Sequence, residues 1–348
     1  MRGCNYMSSD CVNRIDQWQE YGFDKRLETV DRELALAEEI GYNSVRLILE
    51  FPVWEREHDG FMKRLDRYLT VCKKHGIDAM LCLANDCSVP KDQYQPPVFG
   101  EIPYDLGYFG GKAVSPHKDH GGKLSWHILD DPDTALRYCG FVREIIAEYA
   151  HDDRVSVWNL FNEPGNNRAS LSLPHMKRFF EIAWEIAPDQ PCCADVWSGF
   201  TDDHANTEIE QAALEMSDIV SYHQYGSYES NIAVIESLRK IGRPALNTEW
   251  LHRINGNTVE LMYPLFYLEK IGCYNFGFVA GKYQLYEPWE GIWQQVEAGN
   301  YALDVTKWMH DLFRPSLRPY DPREIRLIKA YNQRADERFK SGSDPVSL

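Results

Sequence analysis

Two glutamates stand where short apolar runs stop. One run is Val157-Trp158-Asn159-Leu160-Phe161-Asn162-Glu163-Pro164, the other Pro244-Ala245-Leu246-Asn247-Thr248-Glu249-Trp250. Two carboxyl groups presented together can divide the cleavage of an acetal. One holds a proton and gives it to the departing oxygen; the other is ionised and attacks the anomeric carbon. That division calls for a raised pKa at Glu163, with the nearby charge of Glu249 as its source. The alternative is structural: the same glutamates could neutralise Arg46 or Lys282, because buried charges need partners.

Both glutamates need a scaffold that collects strand ends on one face. Amphipathic helical stretches alternate with apolar runs rich in Val, Ile, Leu and Cys, the pattern of repeated βα units around a parallel sheet. Eight runs are predicted as strands: 3–7, 44–49, 79–83, 155–161, 192–196, 219–223, 245–248 and 274–279. Helices are predicted between them. One carries Leu27, Val30, Leu34, Ala37 and Ile40 and ends at Gly41; others lie over 65–74, 135–150, 176–186 and 259–270. Eight units in 348 residues predict a single-domain (β/α)8 TIM barrel over 1–334. Residues 85–133, rich in Pro, Gly and aromatics, form a long connection expected to wall the active site. Asp321-Pro322 with Glu324 reads as a capping-box-like start of a last helix, and 335–348 as a polar, frayed tail.

A (β/α)8 barrel works at the C-terminal ends of its strands, which reduces fifty-three acidic residues to Glu50, Asp86, Glu163, Asp195 and Glu249. With this order in hand the chain resembles the glycoside hydrolase clan A barrels, most closely glycoside hydrolase family 5 (cellulase-like) proteins. The likeness lies in Asn162-Glu163-Pro164 and Thr248-Glu249, and it extends from Arg46 to the region after Phe276. It implies retention of configuration through a covalent glycosyl-enzyme, with Glu163 as acid/base and Glu249 as nucleophile. It also implies that Arg46 keeps the nucleophile ionised, that Tyr225 donates a hydrogen bond to it, and that Asn162 grips the sugar 2-hydroxyl. His223 would contact substrate or orient its neighbours. Phe276 stands where clan members usually place a Trp as floor of the −1 subsite, with Trp289 or Trp293 as possible compensation. Asn85-Asp86 stands where many family 5 members carry a His. Trp54, Trp197 and Trp250 follow strand ends and could stack on sugars or simply pack the wall; the same two readings hold for Tyr104, Tyr108 and Trp126.

Composition narrows the field further. A net charge of −16 and a pI near 5.1 disfavour nucleic acid and anionic membranes as partners. No apolar run is long enough to span a bilayer and no secretory leader is evident, so a cytoplasmic location is expected unless a leader was removed. Nine cysteines without a CxxC pair read as free thiols. His117 and His120 lack a third ligand, and no phosphate loop, HExxH or nucleophile elbow is present, so neither metal nor cofactor is expected. The reading is a retaining hydrolase of β-linked oligosaccharides, β-mannoside or β-glucoside favoured. Its rivals are a barrel that binds carbohydrate without cleaving it and a metal-dependent sugar isomerase. Oligomeric state is not determined by the sequence.

Overall fold

The computed structural model of the chain describes residues 1–111, 116, 117 and 119–342. Ten strands occur in it: β1 Arg2–Asn5, β2 Ser44–Ile48, β3 Asp78–Cys82, β4 Val155–Phe161, β5 Cys192–Val196, β6 Phe200–Thr201, β7 His204–Ala205, β8 Val220–His223, β9 Ala245–Trp250 and β10 Gly272–Phe276. Eight of them close into a parallel barrel in the order β1-β10-β9-β8-β5-β4-β3-β2, while β6 and β7 form a small antiparallel pair outside it. The outer layer includes α1 Arg14–Trp18, α2 Phe23–Glu39, α3 Phe51–Lys74, α4 Pro132–Tyr149 and α5 Leu173–Ile186. It continues with α6 Glu208–Met216, α7 Tyr228–Ile241, α8 Val259–Glu269, α9 Glu290–Glu297 and α10 Pro322–Ser341. The predicted TIM barrel is therefore the observed fold. Among the described residues no helix is long and apolar enough to cross a membrane.

Strand periodicity explains how the barrel carries both a core and a site. Alternate residues point out to the helices: Val45 and Leu47, Ala79 and Leu81, Trp158 and Leu160, all buried in the main core. The inward residues form layers. Met80, Val157, Cys193, Leu246 and Tyr274 make a dry plug. Two residues further along β4 and β5, Asn159 and Asp195 join Arg46 in a polar, fully buried tier. The chain thus changes from apolar to ionic in one strand step, at the end where the loops gather.

Close packing dictates some residue types. A Cβ at Gly3 would lie 1.9 Å from the carbonyl oxygen of Ser44, so the approach of β1 to β2 admits only glycine. At the other end of the barrel, Gly165 has φ +82° and a Cβ there would meet the Ala169 carbonyl oxygen at 2.5 Å. That glycine forms the tight turn directly after Glu163-Pro164.

Several boundaries differ from expectation for identifiable reasons. α3 starts at Phe51, not near 65: Pro52 sits in its first turn and Glu57 leaves helical geometry, and the two interruptions hide its first half. β10 stops at Phe276 because Gly277 turns into the left-handed region. Asp321 does cap α10, accepting from the Arg323 N–H, but Glu324 forms no capping box. It turns inward to a buried ion pair with Arg253 at 2.7 Å. The helix continues to Ser341; the last part of the expected tail, 343–348, lies outside the described residues. All nine cysteines are free thiols, seven of them buried.

Candidate active site

The loops after the barrel strands enclose a cup of about 440 Å³ with Glu163 and Glu249 on its wall. β9 delivers Glu249. Glu163 follows β4 with φ +45°, a left-handed conformation that a glutamate adopts only where its surroundings hold it. The hold is visible around it. An isolated bridge ties Asn85 to Asn162, and the Gly165 N–H donates to Asp86 Oδ2 at 2.7 Å. Asp86 in turn pairs with fully buried Arg168 at 3.2 Å and accepts from Ser172 Oγ. Asp86 thus fixes the turn and faces no cavity.

Arg46 is the hub beneath the cup. Its Nη1 donates to Glu249 Oε1 (2.9 Å) and Asn5 Oδ1 (2.7 Å). Its Nη2 donates to Asp195 Oδ2 (2.8 Å), Asn162 Oδ1 (2.6 Å) and Asn159 Oδ1 (2.8 Å). One buried cation therefore satisfies two carboxylates and orients three amides. Tyr225 completes the grip on Glu249, its hydroxyl donating to Oε2 at 2.8 Å. Asn162 is left with its Nδ2 toward Asn85 Oδ1, 2.7 Å away.

His223 joins the two glutamates. Its Nδ1 is 2.6 Å from Glu163 Oε1 and 3.6 Å from Glu249 Oε2, and its Nε2 is 3.5 Å from Asp195 Oδ2. Burial opposes a charge on the imidazole, but Glu249, Asp195 and Glu163 surround it and push its pKa up to about 10. Glu163 moves the other way. Burial favours its neutral form, yet the hydrogen bond and charge of His223, helped by the Cys87 thiol, bring it down to about 2. Glu249 rises above the ordinary carboxylate value, because burial and repulsion from Glu163 outweigh His223, Arg46 and Tyr225. Asp195 stays well below the carboxylate range, Arg46 and His223 overcoming its burial. The expected raised pKa at Glu163 is thus reversed: Glu163 is held low by the hydrogen bond and charge of His223, whose own pKa is raised.

One ligand atom each from Glu163, His223 and Glu249 fall within 4.8 Å of one another. Such a trio has the make-up of a metal site, and its imidazole Nδ1 also lies 2.6 Å from Glu163 Oε1. One oxygen of each carboxylate therefore lies within 4.8 Å of the other.

The remaining predicted residues divide. Asn85, Trp197, Phe276 and Trp289 line the cup with Asn162, His223 and Tyr225. Phe276 and Trp289 stand near Tyr225, with ring centroids 6.5 and 5.5 Å from it, so the loop tryptophan does accompany the phenylalanine; Trp293 does not line the cup. Trp197 is anchored through its Nε1, which donates to the Pro164 carbonyl at 3.1 Å. Trp54 and Trp250 lie elsewhere. Trp54 sits on α3, bonded to Glu144 and packed on Phe51 and Phe141. Trp250 is fully buried behind β9 against Tyr263 and Phe266. Inward and outward residues alternate along a strand, so the residue after an inward Glu249 must face the helices.

Sequence reasoning overlooked Cys87 and Asn166, which reach Glu163 Oε2 from two loops, the thiol at 2.8 Å. Both follow a recognised strand end by only a few residues, and that proximity was the available signal. Arg14, Phe109, Gln224 and Asn255 also line the cup without a motif. His117, read above only as a poor metal ligand, enters the cup and stacks on Trp289 with centroids 5.0 Å apart; Lys118 lies outside the described residues.

No family model and no curated protein matches the chain at the sequence level. Its fold is nevertheless found among solved structures. It is similar to the exo-β-1,4-mannosidase Op5Man5 from Opitutaceae bacterium strain TAV5, with 15% identity and a TM-score of 0.58 over 97% of this chain and 59% of the other. The chain therefore spans less than two thirds of that protein. It also resembles the endo-β-1,4-mannanase from Thermotoga petrophila, with 17% identity and a TM-score of 0.55 over 99% and 78% of the two chains. A β-glucosidase designated 1317 gives 13% identity and a TM-score of 0.52 over 94% and 92%.

Proposed function

We propose that the protein is a retaining β-glycoside hydrolase acting through Glu249 and Glu163. The observation that carries this reading is the approach of the two carboxylates at the ends of β4 and β9, each in a different electrostatic setting. In the first step Glu249 attacks the anomeric carbon while the glycosidic oxygen takes a proton from Glu163, which His223 replenishes through their shared hydrogen bond. The bond to the leaving group breaks and a glycosyl ester of Glu249 forms. In the second step a water gives its proton to the Glu163–His223 pair and attacks the same carbon, releasing the sugar and regenerating the carboxylate.

The supporting groups have defined tasks. Arg46 and Tyr225 keep Glu249 aimed and ionised, and Asn162, fixed by Arg46, is placed for the sugar 2-hydroxyl. Phe276 and Trp289 offer apolar faces to the ring. β-Mannosides and β-glucosides are the favoured substrates, in keeping with the names of the structural neighbours. No metal or cofactor enters this scheme.

The test is hydrolysis of aryl β-mannoside, glucoside, galactoside and xyloside by the wild type and by Glu249→Ala, with and without azide. Loss of activity in the variant and its partial return as the α-glycosyl azide establishes both the nucleophile and the glycone. A wild type inert to the whole panel and to longer oligosaccharides would leave a carbohydrate-binding barrel as the better account.

A further inference from the structure

A second cavity of about 630 Å³ opens beside the cup, within the size range of small-molecule sites. The two share Arg14, Ile48, Asn85, Cys87 and Phe109 as lining, so they adjoin across these residues. We propose that this side lobe seats the leaving group of the glycoside and that this group is an apolar aryl or alkyl aglycone, not a second sugar. The inference rests on the glycosidase reading of the cup.

Position gives the first argument. Of the shared residues, Cys87 touches Glu163 Oε2 and Asn85 holds Asn162, whereas the residues that grip Glu249, Arg46 and Tyr225, line none of the lobe. The lobe therefore departs from the proton donor's side of the cup, where the departing oxygen must lie.

Lining gives the second. The walls are built from Tyr94, Pro96, Pro97, Val98, Ile102 and Tyr104. Four of the polar side chains there already have partners within the protein. Arg14 pairs with Glu50 at 2.5 Å, Asn13 Oδ1 accepts from the Asp16 N–H, Asp105 Oδ1 from the Leu106 N–H, and His127 Nδ1 from the Leu129 N–H. A second sugar would bring several hydroxyls against a wall of Tyr94, Pro96, Pro97, Val98, Ile102 and Tyr104, and a hydroxyl buried without a partner is costly. An alkyl or aryl group asks only for apolar contact. Val98 and Tyr104 remain 51% and 50% exposed, large apolar side chains that a hydrophobic ligand would cover.

Calorimetric titration of the full chain carrying Glu163→Gln tests this independently of turnover. The probes are methyl and octyl β-glucoside, methyl and octyl β-mannoside, each below micelle-forming concentration, and cellobiose and β-1,4-mannobiose. Each buried methylene is worth roughly fourfold in affinity, so octyl glycosides should bind at least about tenfold tighter than methyl ones while the disaccharides gain nothing over methyl. Val98→Asp and Tyr104→Ala should shrink the octyl-to-methyl ratio. Equal binding of octyl and methyl glycosides, no binding by any octyl glycoside, a gain for the disaccharides alone, or a ratio untouched by both substitutions would overturn the proposal. Turnover of aryl glycosides by the wild type tests the glycosidase reading separately, so one reading can fail while the other stands.

Discussion

His223 Nδ1 and Glu163 Oε1 lie 2.6 Å apart inside a cup whose other carboxylate is 3.6 Å from the same nitrogen. One proton therefore serves a histidine and two glutamates. A solitary carboxylic acid kept neutral by its surroundings is the simpler way to store a catalytic proton; in the proposed scheme storage is displaced onto the imidazole, and Glu163 is the group that faces the leaving oxygen.

This arrangement sets the pH profile. The basic limb of kcat/KM reports loss of the shared proton, and with His223 pushed up to about 10 that limb lies in alkaline solution. Replacing His223 by Gln removes the cation. Glu163 then becomes the only proton store, still buried and beside Glu249, so its pKa rises from about 2 but remains below that of the lost imidazole. The basic limb should move toward neutral pH and the active range narrow. A limb that stays where it is in His223→Gln would show that the stored proton never depended on the imidazole.

Stability carries the same sign. A group whose folded pKa is raised contributes stability below its unfolded value and loses it as pH rises through the folded one. For His223 that loss runs from about 6.5 in the unfolded chain to about 10. Buried Glu33 and Asp311, each raised to about 7 chiefly by desolvation, add a loss beginning near pH 4. Asp195 and Glu163, both lowered, act oppositely and only in acid. The melting temperature should therefore be higher at pH 6 than at pH 9, with the alkaline decline weakened in His223→Gln. A flat profile from pH 6 to 9 would contradict the assignment.

Much of this was legible in the sequence, and the pattern of success is physical. Strand runs such as 155–161 and 192–196 were found to the residue because they are short, apolar and bounded by breakers. The acids that matter sit at strand ends, a position that sequence order reveals. What the sequence withheld is geometry across the barrel. Nothing local in Cys87, Asn166 or Arg14 says that they converge on one cup, and Asp195 was visible as a strand-end acid but not as the partner of Arg46 three strands away around the ring. The pKa order of Glu163 and His223 was missed for the same reason: it depends on three carboxylates from three strands meeting one imidazole.

Arg46 should be the costliest residue of the site to remove. It is fully buried with Asp195 and Glu249 as ionic partners, so Arg46→Met leaves two buried carboxylates without their cation. Breaking a buried pair in this way costs about 3–5 kcal/mol, and here the loss should appear as a lower urea midpoint together with abolished turnover. Arg46→Lys keeps the charge but cannot reach five acceptors, so it should recover part of the stability and little of the activity. Equal stability of wild type and Arg46→Met would mean that the network contributes nothing to the fold.

Cys87 should behave as an inert thiol despite lining the cup. Burial, then the charge of Glu163, pushes its pKa well above 9, so alkylation by iodoacetamide at pH 8 should be slow. Glu163→Gln takes away the negative charge, which lowers the thiol pKa and should accelerate labelling of the Cys87 peptide in mass spectrometry. Labelling that slows in this variant would place the two groups out of contact.

The tryptophans provide the sharpest separation of site from scaffold, because three of them follow strand ends and only one of the three, Trp197, lines the cup. Trp197 touches the Pro164 carbonyl and faces the cavity, so Trp197→Ala should raise KM by roughly three- to tenfold, the scale of a lost aromatic contact. Trp250 lies one residue beyond Glu249 yet points into the helical layer, packed on Phe266 with centroids 5.3 Å apart. Trp250→Phe should lower unfolding free energy by about 1–3 kcal/mol and leave KM alone. Trp54→Phe should do the same more mildly, since Trp54 is only partly buried on α3 and loses one hydrogen bond to Glu144. Steady-state kinetics and urea denaturation on the three variants separate the roles: a KM effect from Trp250 or Trp54 equal to that of Trp197 would mean that the alternation of strand faces does not decide which aromatic meets the sugar.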